Sequence, residues 1–577
     1  ADTMGNLSWA PLFPDHVGRK QSPEYVGTVI ADPTVTTDIA FFQWFLEPGT
    51  EDEAQTRTGT RTSVFYLGEF YDNAFVRNRG GSTQSAPKKS FKFEFNTGYH
   101  FLFDPEYQRV EEFNLNTTYS DKAYIRQPLA FETYALVGNP SSLSFPMRVH
   151  RNNEFYGVFA YIEQPDDEFL ERNDLDSDGA LYKMFNEFTS GTSGVEKKTR
   201  LYEDNSDLIS FVNNINNLSD QDLTNYIFDN VNIPMVLDYL VGTILTHQND
   251  HPHKNYYLYR DSNGTGEWLF IPWDHDLALG SNWVGTSFSD EIYANNDSVI
   301  GKDDDIRPSH PFIGAEDYRE WNDHWNRLTD ALLSDSTFRA MYLRRLRTEM
   351  DALLGETAND GYFENRINEM ATQMAADVAD DMAEWIPSGW TWGSNQSFQD
   401  AIDIIIDDYL VRRREHLYVN HAVDAQGDPI NPNAVDFNGV AIINAGIPEA
   451  QVGNPVIDFG TIEFNPASGD QDQEYIELVN NHTEAVDISG WRIEGGIEFE
   501  FRSGTVIPAN GGILYISPDV PAFLARTTGA RGGQNLFLQG NYSGHLSNFG
   551  EALRLIAADG NEVAATSYAG APSPEQL

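Results

Sequence analysis

The sequence predicts an α+β protein in which a β-rich stretch and a helical stretch build one large domain and a small all-β sandwich follows. Three observations carry this expectation. Between residues 60 and 165 apolar and polar side chains alternate with the period of a strand, as in Thr62-Ser-Val-Phe-Tyr-Leu67 and Ser90-Phe-Lys-Phe-Glu-Phe95. From about 205 to 420 the spacing becomes helical. Leu208, Phe211, Ile215 and Leu218 share one face, and the stripe from Ile402 to Leu417 ends in Arg412 to Arg414, cations that suit a helix C-terminus. Beyond 455, short apolar runs such as Glu474 to Asn480, Trp491 to Ile493 and Gly512 to Ile516 are separated by turn residues at the spacing of a sandwich. Residues 425–454, with Gly427, Pro429, Asn431 and Pro432, read as a linker. The chain has 577 residues, whereas single cores stop growing beyond roughly 250–300, so two domains are required.

Composition narrows the chemistry. Asp and Glu number 88 against 38 Lys and Arg, a formal charge of −50, yet 40% hydrophobic and 13% aromatic residues supply packed cores, so the acidity does not signal disorder. At that charge the surface repels nucleic acid and anionic lipid. No apolar run reaches the roughly 18–20 residues of a membrane span. With no cysteine, disulfides, thiolate metal sites and cysteine nucleophiles are excluded, leaving His and carboxylates as ligands. Uniform acidity with ten lysines fits a halophilic or marine setting, where salt screens self-repulsion. The opening Ala1-Asp2-Thr3-Met4 reads as a processed or excised terminus, from which a cytoplasmic address cannot be read. Lys88, Lys89 and Lys92 cluster within five residues, which suits either a functional site or the solvated edge of a strand.

The richest segment is His247 to Arg260 followed by Trp268 to Asp276. An apolar helix from Met235 to Leu245 delivers the first part. Tyr256 to Arg260 and Glu267 to Ile271 are strand-like, and Asp261-Ser-Asn-Gly-Thr-Gly266 between them is turn chemistry. As a hairpin, this pairs Asn255 with Pro272 and sets Asn255 diagonal to Asp274. Cross-strand diagonals span roughly 7–8 Å, near enough for an amide oxygen and a carboxylate to share a cation. Asp250 precedes Asn255 by five residues. A loop Asp that accepts a hydroxyl proton, an Asn five residues on, a hairpin and then a metal-binding Asp is the order of protein-kinase catalytic sites.

These residues resemble the CotH family of secreted, atypical protein kinases. The resemblance covers roughly residues 25 to 420 and rests on Arg79 to Phe95, Tyr156-Gly-Val-Phe-Ala-Tyr-Ile-Glu-Gln164, Gly179-Ala-Leu-Tyr-Lys183, Asp250 to Asn255, and Pro272-Trp-Asp-His-Asp276. It implies a two-lobed kinase-like domain over 1–424, with a β-rich N-lobe at about 25–165 and a helical C-lobe at about 166–420. It further implies ATP with Mg²⁺ or Mn²⁺, and transfer to Ser or Thr of secreted, surface or spore coat proteins. Asp250 matches the catalytic Asp; Asn255 and Asp274, with Asp276 beside them, match the metal ligands. There is no G-x-G-x-x-G, so Gly80 and Ser82 are expected to cradle phosphate through backbone N–H groups and hydroxyls. Either Lys89 or Lys92 is expected to contact phosphate and to pair with Glu132 on the helix Ile125 to Leu136. Glu163 lies where lobes would join, and Lys183 is placed to reach phosphate or Glu163. Asp174, Asp176 and Asp178 copy the start of a calcium loop, but Phe185 at position twelve excludes a complete EF-hand.

Residues 455–577 resemble a lamin-tail domain, an immunoglobulin-like sandwich. The match lies in Glu474 to Leu478, Asp487-Ile-Ser-Gly-Trp491, Ile507-Pro-Ala-Asn-Gly511 and Gly550 to Leu555. The resemblance implies adhesion to a surface or cell wall, or a passive stabilising role. Two other readings use the same site: a metal-dependent phosphoesterase-like hydrolase built on His247, His251, His253 and His275, and an inactive binding protein on a kinase-like frame.

Overall fold

The structure is a computed structural model. It describes residues 27–570 except 31, 249, 285–286, 290–293, 295–296, 298–308, 321–322, 359–360, 387–395 and 437–438. Seven strands open the chain: β1 (Ala40–Phe45), β2 (Thr60–Tyr66), β3 (Glu69–Arg79), β4 (Ser90–Glu94), β5 (Glu112–Thr117), β6 (Ser144–Arg151) and β7 (Glu154–Glu163). They close into a barrel in the order β1-β2-β3-β4-β5-β7-β6. The seam is the parallel pair β1–β6, running from Ala40 opposite Met147 to Trp44 opposite Arg151. The alternation read in β4 sends Phe91 and Phe93 inward, where they meet Phe42, Trp44, Phe113 and Tyr161. Phe93 and Phe113 stack at 5.3 Å. A barrel of this size is filled by its own side chains, and here aromatic rings fill it.

Helix α1 (Glu51–Ala54) lies in the β1–β2 connection, and α2 (Arg126–Leu136) lies between β5 and β6. After the barrel come α3 (Asp167–Arg172), β8 (Ala180–Met184), β9 (Val195–Lys197), α4 (Ser206–Asn217), α5 (Asp220–Asn230) and α6 (Ile233–Thr246). They are followed by β10 (Tyr256–Arg260) and β11 (Trp268–Pro272), which complete a sheet of order β11-β10-β8-β9. Every residue of α6 is buried, and Asn232 caps it by accepting from Met235 N. The helices α7 (Arg327–Ser334), α8 (Ser336–Glu349) and α9 (Tyr362–Trp385) follow. Helix α9 crosses to the barrel. Its Asp381 accepts from Lys88 Nζ at 2.7 Å and from Val158 N at 2.6 Å, and its Asp377 pairs with Arg148 at 2.7 Å.

The C-terminal block is all-β with several sheets, including two four-stranded ones. Many of its apolar residues join those of the helical part in one continuous cluster, while Tyr475, Tyr515, Val520, Phe523 and Leu538 form a small separate one. Arg345 of α8 joins the two parts. Its Nε lies 2.7 Å from Asp238 on α6, and its Nη1 lies 3.2 Å from Asp487 and 2.8 Å from Glu349. The stretch read as a linker folds back on the preceding helix: Val423 N donates to Ile447 O at 2.9 Å, and Asn444 Nδ2 donates to Asn420 O at 2.9 Å and Ala422 O at 3.0 Å. Among the described residues no helix is long and apolar enough to cross a membrane.

Candidate active site

Helix α6 ends at His247 in the left-handed conformation (φ 48°), a C-cap that turns the chain into the loop before β10. Gln248 fastens that loop to the far side of the hairpin. Its Oε1 accepts from Asp250 N at 3.2 Å, and its Nε2 donates to Asp274 O at 2.9 Å and lies 2.9 Å from His275 Nδ1. The hairpin forms, but in a different register from the predicted one. Tyr256, not Asn255, faces Pro272. Asn255 takes φ 66°, which removes it from the ladder, and its carbonyl accepts from Trp273 N at 3.2 Å. Asp274 is likewise left-handed (φ 61°). Asn and Asp tolerate this region better than other residues, and paired occurrences at the open end of one hairpin are the backbone strain that functional sites store.

Asn255 Nδ2 donates to Asp250 Oδ2 at 3.0 Å and to Asp250 O at 2.7 Å, which leaves its Oδ1 for other partners. Lys254 Nζ lies 2.9 Å from the same Asp250 oxygen. Burial, then the charges of Asp274 and Asp250, push the Asp276 carboxyl well above the usual carboxylate range. A divalent cation would relieve that repulsion. Two carboxylates and an amide oxygen are the hard donors Mg²⁺ or Mn²⁺ prefer, so the residues present fit such an ion. Next to them lie two cations on Trp273: Arg79 at 5.5 Å from the ring centre and Lys183 at 4.8 Å. Burial lowers both, and Asp274 acts against burial in each case; the Lys183 ammonium comes down to about 7. Lys198 also acts on Lys183 and on Lys92, but Lys198 pairs with Glu196 at 2.9 Å and Lys92 with Glu112 at 2.6 Å.

A family model described as CotH kinase protein matches residues 76–417. The chain belongs to the CotH kinase family. A Lamin Tail Domain model matches residues 453–570, the all-β block. Among solved structures, the crystal structure of a Helicobacter pylori proinflammatory kinase, CtkA, is similar at 11% identity, covering 63% of this chain and 93% of that one with a TM-score of 0.24. No curated protein matches.

Within the CotH domain several expected partnerships are not formed. Lys89 Nζ donates to Gln84 O at 2.6 Å and does not reach Glu132. Lys92 pairs with Glu112 at 2.6 Å. Glu132 is held instead by Arg366 of α9, with Nε at 2.8 Å, and by the Tyr362 hydroxyl. Among the described lysines Lys88 is the fully buried one. Strand β4 begins only at Ser90, so its alternation does not extend back to residues 88 and 89. Glu163 is buried against Arg172 at 2.5 Å and accepts from Leu143 N at 3.0 Å, which leaves Lys183 to Trp273. Gly80 turns with φ 96° and its carbonyl accepts from Gln84 Nε2 at 2.9 Å, a side-chain bond beside the 3₁₀ turn Ser82–Ser85. The Ser82 side chain lies outside the described residues. The supposed calcium turn is satisfied by protein donors: Asn263 Nδ2 donates to Asp176 at 2.8 Å, and Arg200 pairs with Asp178 at 3.2 Å, while Asp174 serves as a left-handed turn residue (φ 56°).

Among the described residues His247, His251, His253 and His275 do not assemble into a metal-ligand set. His251 and His275 are buried and pushed down to about 3 by burial, His253 stacks on His324 at 4.3 Å, and His247 stacks on Tyr409 at 6.0 Å. Among the described residues the sets of His and acidic groups close enough to hold an ion are Asp297, His310 and His421; His100, Glu111 and Glu168; and Asp166, Asp167 and Glu168. In the first, backbone N–H groups of Phe312 and Ala445 face Nδ1 of His310 and His421 at 3.0 and 3.2 Å. That places each imidazole proton on Nε2, the tautomer that does not ligate through Nε2. The aspartates Asp250, Asp274 and Asp276 are not among these sets. Sequence reading missed Arg79, Gln248 and Lys254. The signal for Lys254 was its position beside Asn255 in a chain with ten lysines.

Proposed function

We propose that the CotH domain is a two-lobed protein kinase that transfers the γ-phosphoryl group of ATP to Ser or Thr hydroxyls of secreted, surface or spore coat proteins, using Mg²⁺ or Mn²⁺. The supporting observation is the shared placement of Asp250, Asn255 and Asp274 at the open end of one hairpin, with Arg79 and Lys183 beside Asp274. Asp250 orients the acceptor hydroxyl and takes its proton as the hydroxyl oxygen bonds to Pγ. The bond from Pγ to the bridging oxygen breaks and its electron pair leaves with ADP. Arg79 and Lys183 hold the phosphates, Arg79 through a planar guanidinium steadied by Asn116. Asn255, Asp274 and Asp276 would hold a divalent ion, which would supply charge neutralisation to the phosphates. The lamin-tail domain is an immunoglobulin-like module that attaches the enzyme to an extracellular surface or cell wall.

Purified chain with labelled ATP, Mg²⁺ or Mn²⁺ and an acceptor protein tests this. Asp250→Ala is expected to lower turnover by at least about 10²-fold with nucleotide affinity within about threefold, whereas Asp274→Ala weakens metal–nucleotide binding about tenfold or more. Phosphate release from esters without incorporation into protein would establish the hydrolase instead. Folded chain that binds no nucleotide would leave a binding module.

A further inference from the structure

The lamin-tail domain meets the CotH domain through the turn Arg502 to Gly504, between the strands Phe499–Glu500 and Val506–Ile507. Ser503 Oγ donates at 2.8 Å to the carbonyl of Val137, the C-cap of α2. Arg345 Nη2 donates to the same carbonyl at 2.9 Å and also to Ser503 Oγ. The last carbonyls of a helix have no partner within it, so this end of α2 is completed by a residue of the other domain. The two backbones meet with no room for a side chain between them. A Cβ on Gly138 would lie 2.2 Å from Ser503 Cβ, and a Cβ on Gly504 would lie 2.2 Å from Pro234 O on α6; these glycines take φ 95° and 78°. The turn is itself fixed. Gly504 N donates to Ser489 Oγ at 3.0 Å, Ser489 Oγ donates to Asp487 Oδ1 at 2.5 Å, and Asp487 Oδ2 accepts from Arg345 Nη1 at 3.2 Å.

From that end, α2 runs along the candidate active site. Gln127, Phe131 and Tyr134 stand at i, i+4 and i+7, one stripe of the helix. The Phe131 ring lies 4.9 Å from the His275 ring and 6.4 Å from Trp273, and the Tyr134 ring lies 4.8 Å from His275. Trp273 and His275 are the residues on either side of Asp274. The Tyr134 hydroxyl is 2.9 Å from Thr243 Oγ1 on α6, and a Cβ on Gly242 would come within 2.5 Å of the Tyr134 ring. Gln127 Oε1 accepts from Asn116 Nδ2 at 3.1 Å, and Asn116 Oδ1 accepts from Arg79. One helix therefore backs both the segment that carries Asp274 and the guanidinium beside it. We propose that Ser503 of the lamin-tail domain is a positioning residue for phosphoryl transfer, holding α2 so that Asp274 and Arg79 keep their places, an inference that rests on the phosphotransferase reading above. Buried, close-packed contacts pass a shift of the helix on instead of absorbing it. A misplacement of about 1 Å at reacting groups lowers turnover by as much as about 10²-fold. The lamin-tail domain is then part of the catalytic unit as well as an anchor.

The experiment compares full-length wild-type chain with Ser503→Ala, Gly504→Ala and Phe523→Leu, at a temperature where all four are folded. It measures phosphate transfer from ATP to an acceptor protein, binding of Mg²⁺–ATP, and thermal unfolding. Ser503→Ala removes one donor to Val137 O, and Gly504→Ala sets a methyl group against Pro234 O and lifts the turn. Expected losses in kcat are about fivefold for Ser503→Ala and about 10- to 10²-fold for Gly504→Ala, with Mg²⁺–ATP Kd raised about three- to tenfold and acceptor KM within about twofold. Phe523→Leu loosens the small separate core of the same domain and touches neither the turn nor α2. It is expected to lower the Tm at least as much as Ser503→Ala while leaving kcat and Kd at wild-type values. Unchanged kcat in both turn variants overturns the proposal. An equal loss of kcat in Phe523→Leu overturns it too, since any weakening of the domain would then suffice. Wild-type chain that transfers no phosphate overturns the phosphotransferase reading as well, a failure seen before any variant is compared.

Discussion

The ion pair of Lys88 and Asp381 offers the sharpest test of how the CotH domain is held together. Both side chains are 0% exposed, with Nζ 2.7 Å from Oδ1. Lys88 also donates to Val158 O at 2.6 Å and Thr118 Oγ1 at 2.9 Å. Asp381 accepts in addition from Val158 N and from the Tyr124 hydroxyl, each at 2.6 Å. Lys88→Met removes the cation and leaves a carboxylate in a dry site, while Val158 O keeps its hydrogen bond from Thr118 Oγ1 at 3.1 Å. Breaking one side of a buried pair costs about 3–5 kcal/mol, which is roughly a 10²- to 10³-fold or greater rise in the unfolded population. Lys88→Met combined with Asp381→Asn should regain at least half of that. The amide carries no charge, and its oxygen still accepts from Val158 N. Urea unfolding followed by tryptophan fluorescence gives the three values, and the two substitutions should couple by about 2 kcal/mol or more. A Lys88→Met loss below about 1 kcal/mol, or additive single effects, would refute the account of this pair.

Two other outcomes follow from the structure. Burial brings the Lys183 ammonium down to about 7, so it is charged below that pH and neutral above it; nucleotide affinity should fall roughly tenfold between pH 6 and 8.5, and titration calorimetry should find that dependence lost in Lys183→Met. Arg345→Leu strands Asp238 and Asp487 at the junction with the lamin-tail domain; a loss of about 3–5 kcal/mol and faster proteolysis within residues 425–454 are expected, and unchanged cleavage would refute a fused junction.

What the sequence revealed was local. The alternation of Ser90 to Phe95 correctly gave the inward face of β4, and the Asn263-Gly264 step gave the hairpin. The register slipped by one because a positive φ at Asn255 is invisible in a residue string. The barrel seam pairs strands about a hundred residues apart, a contact no period encodes. Partners across such distances also defeated the reading of single charges: Glu132 waits for Arg366 and Lys88 for Asp381, whereas the kinase Lys–Glu pairing favoured Lys89 or Lys92 for Glu132. Asp250, Asn255 and Asp274 stood out through their order along one loop and one hairpin, and the structure sets Asn255 Nδ2 3.0 Å from Asp250 Oδ2.

The clamp between α9 and the barrel also dictates an order of events during synthesis. Lys88 and Asp381 are 293 positions apart, so at ribosomal speeds of about 5–20 residues per second the lysine emerges roughly 15–60 s before its partner exists. Through that interval the barrel cannot bury this corner, and a nascent chain ending after β7 holds a hydrated ammonium where the finished protein is dry. The strands are therefore a dependent half, completed only when a helix translated far downstream arrives.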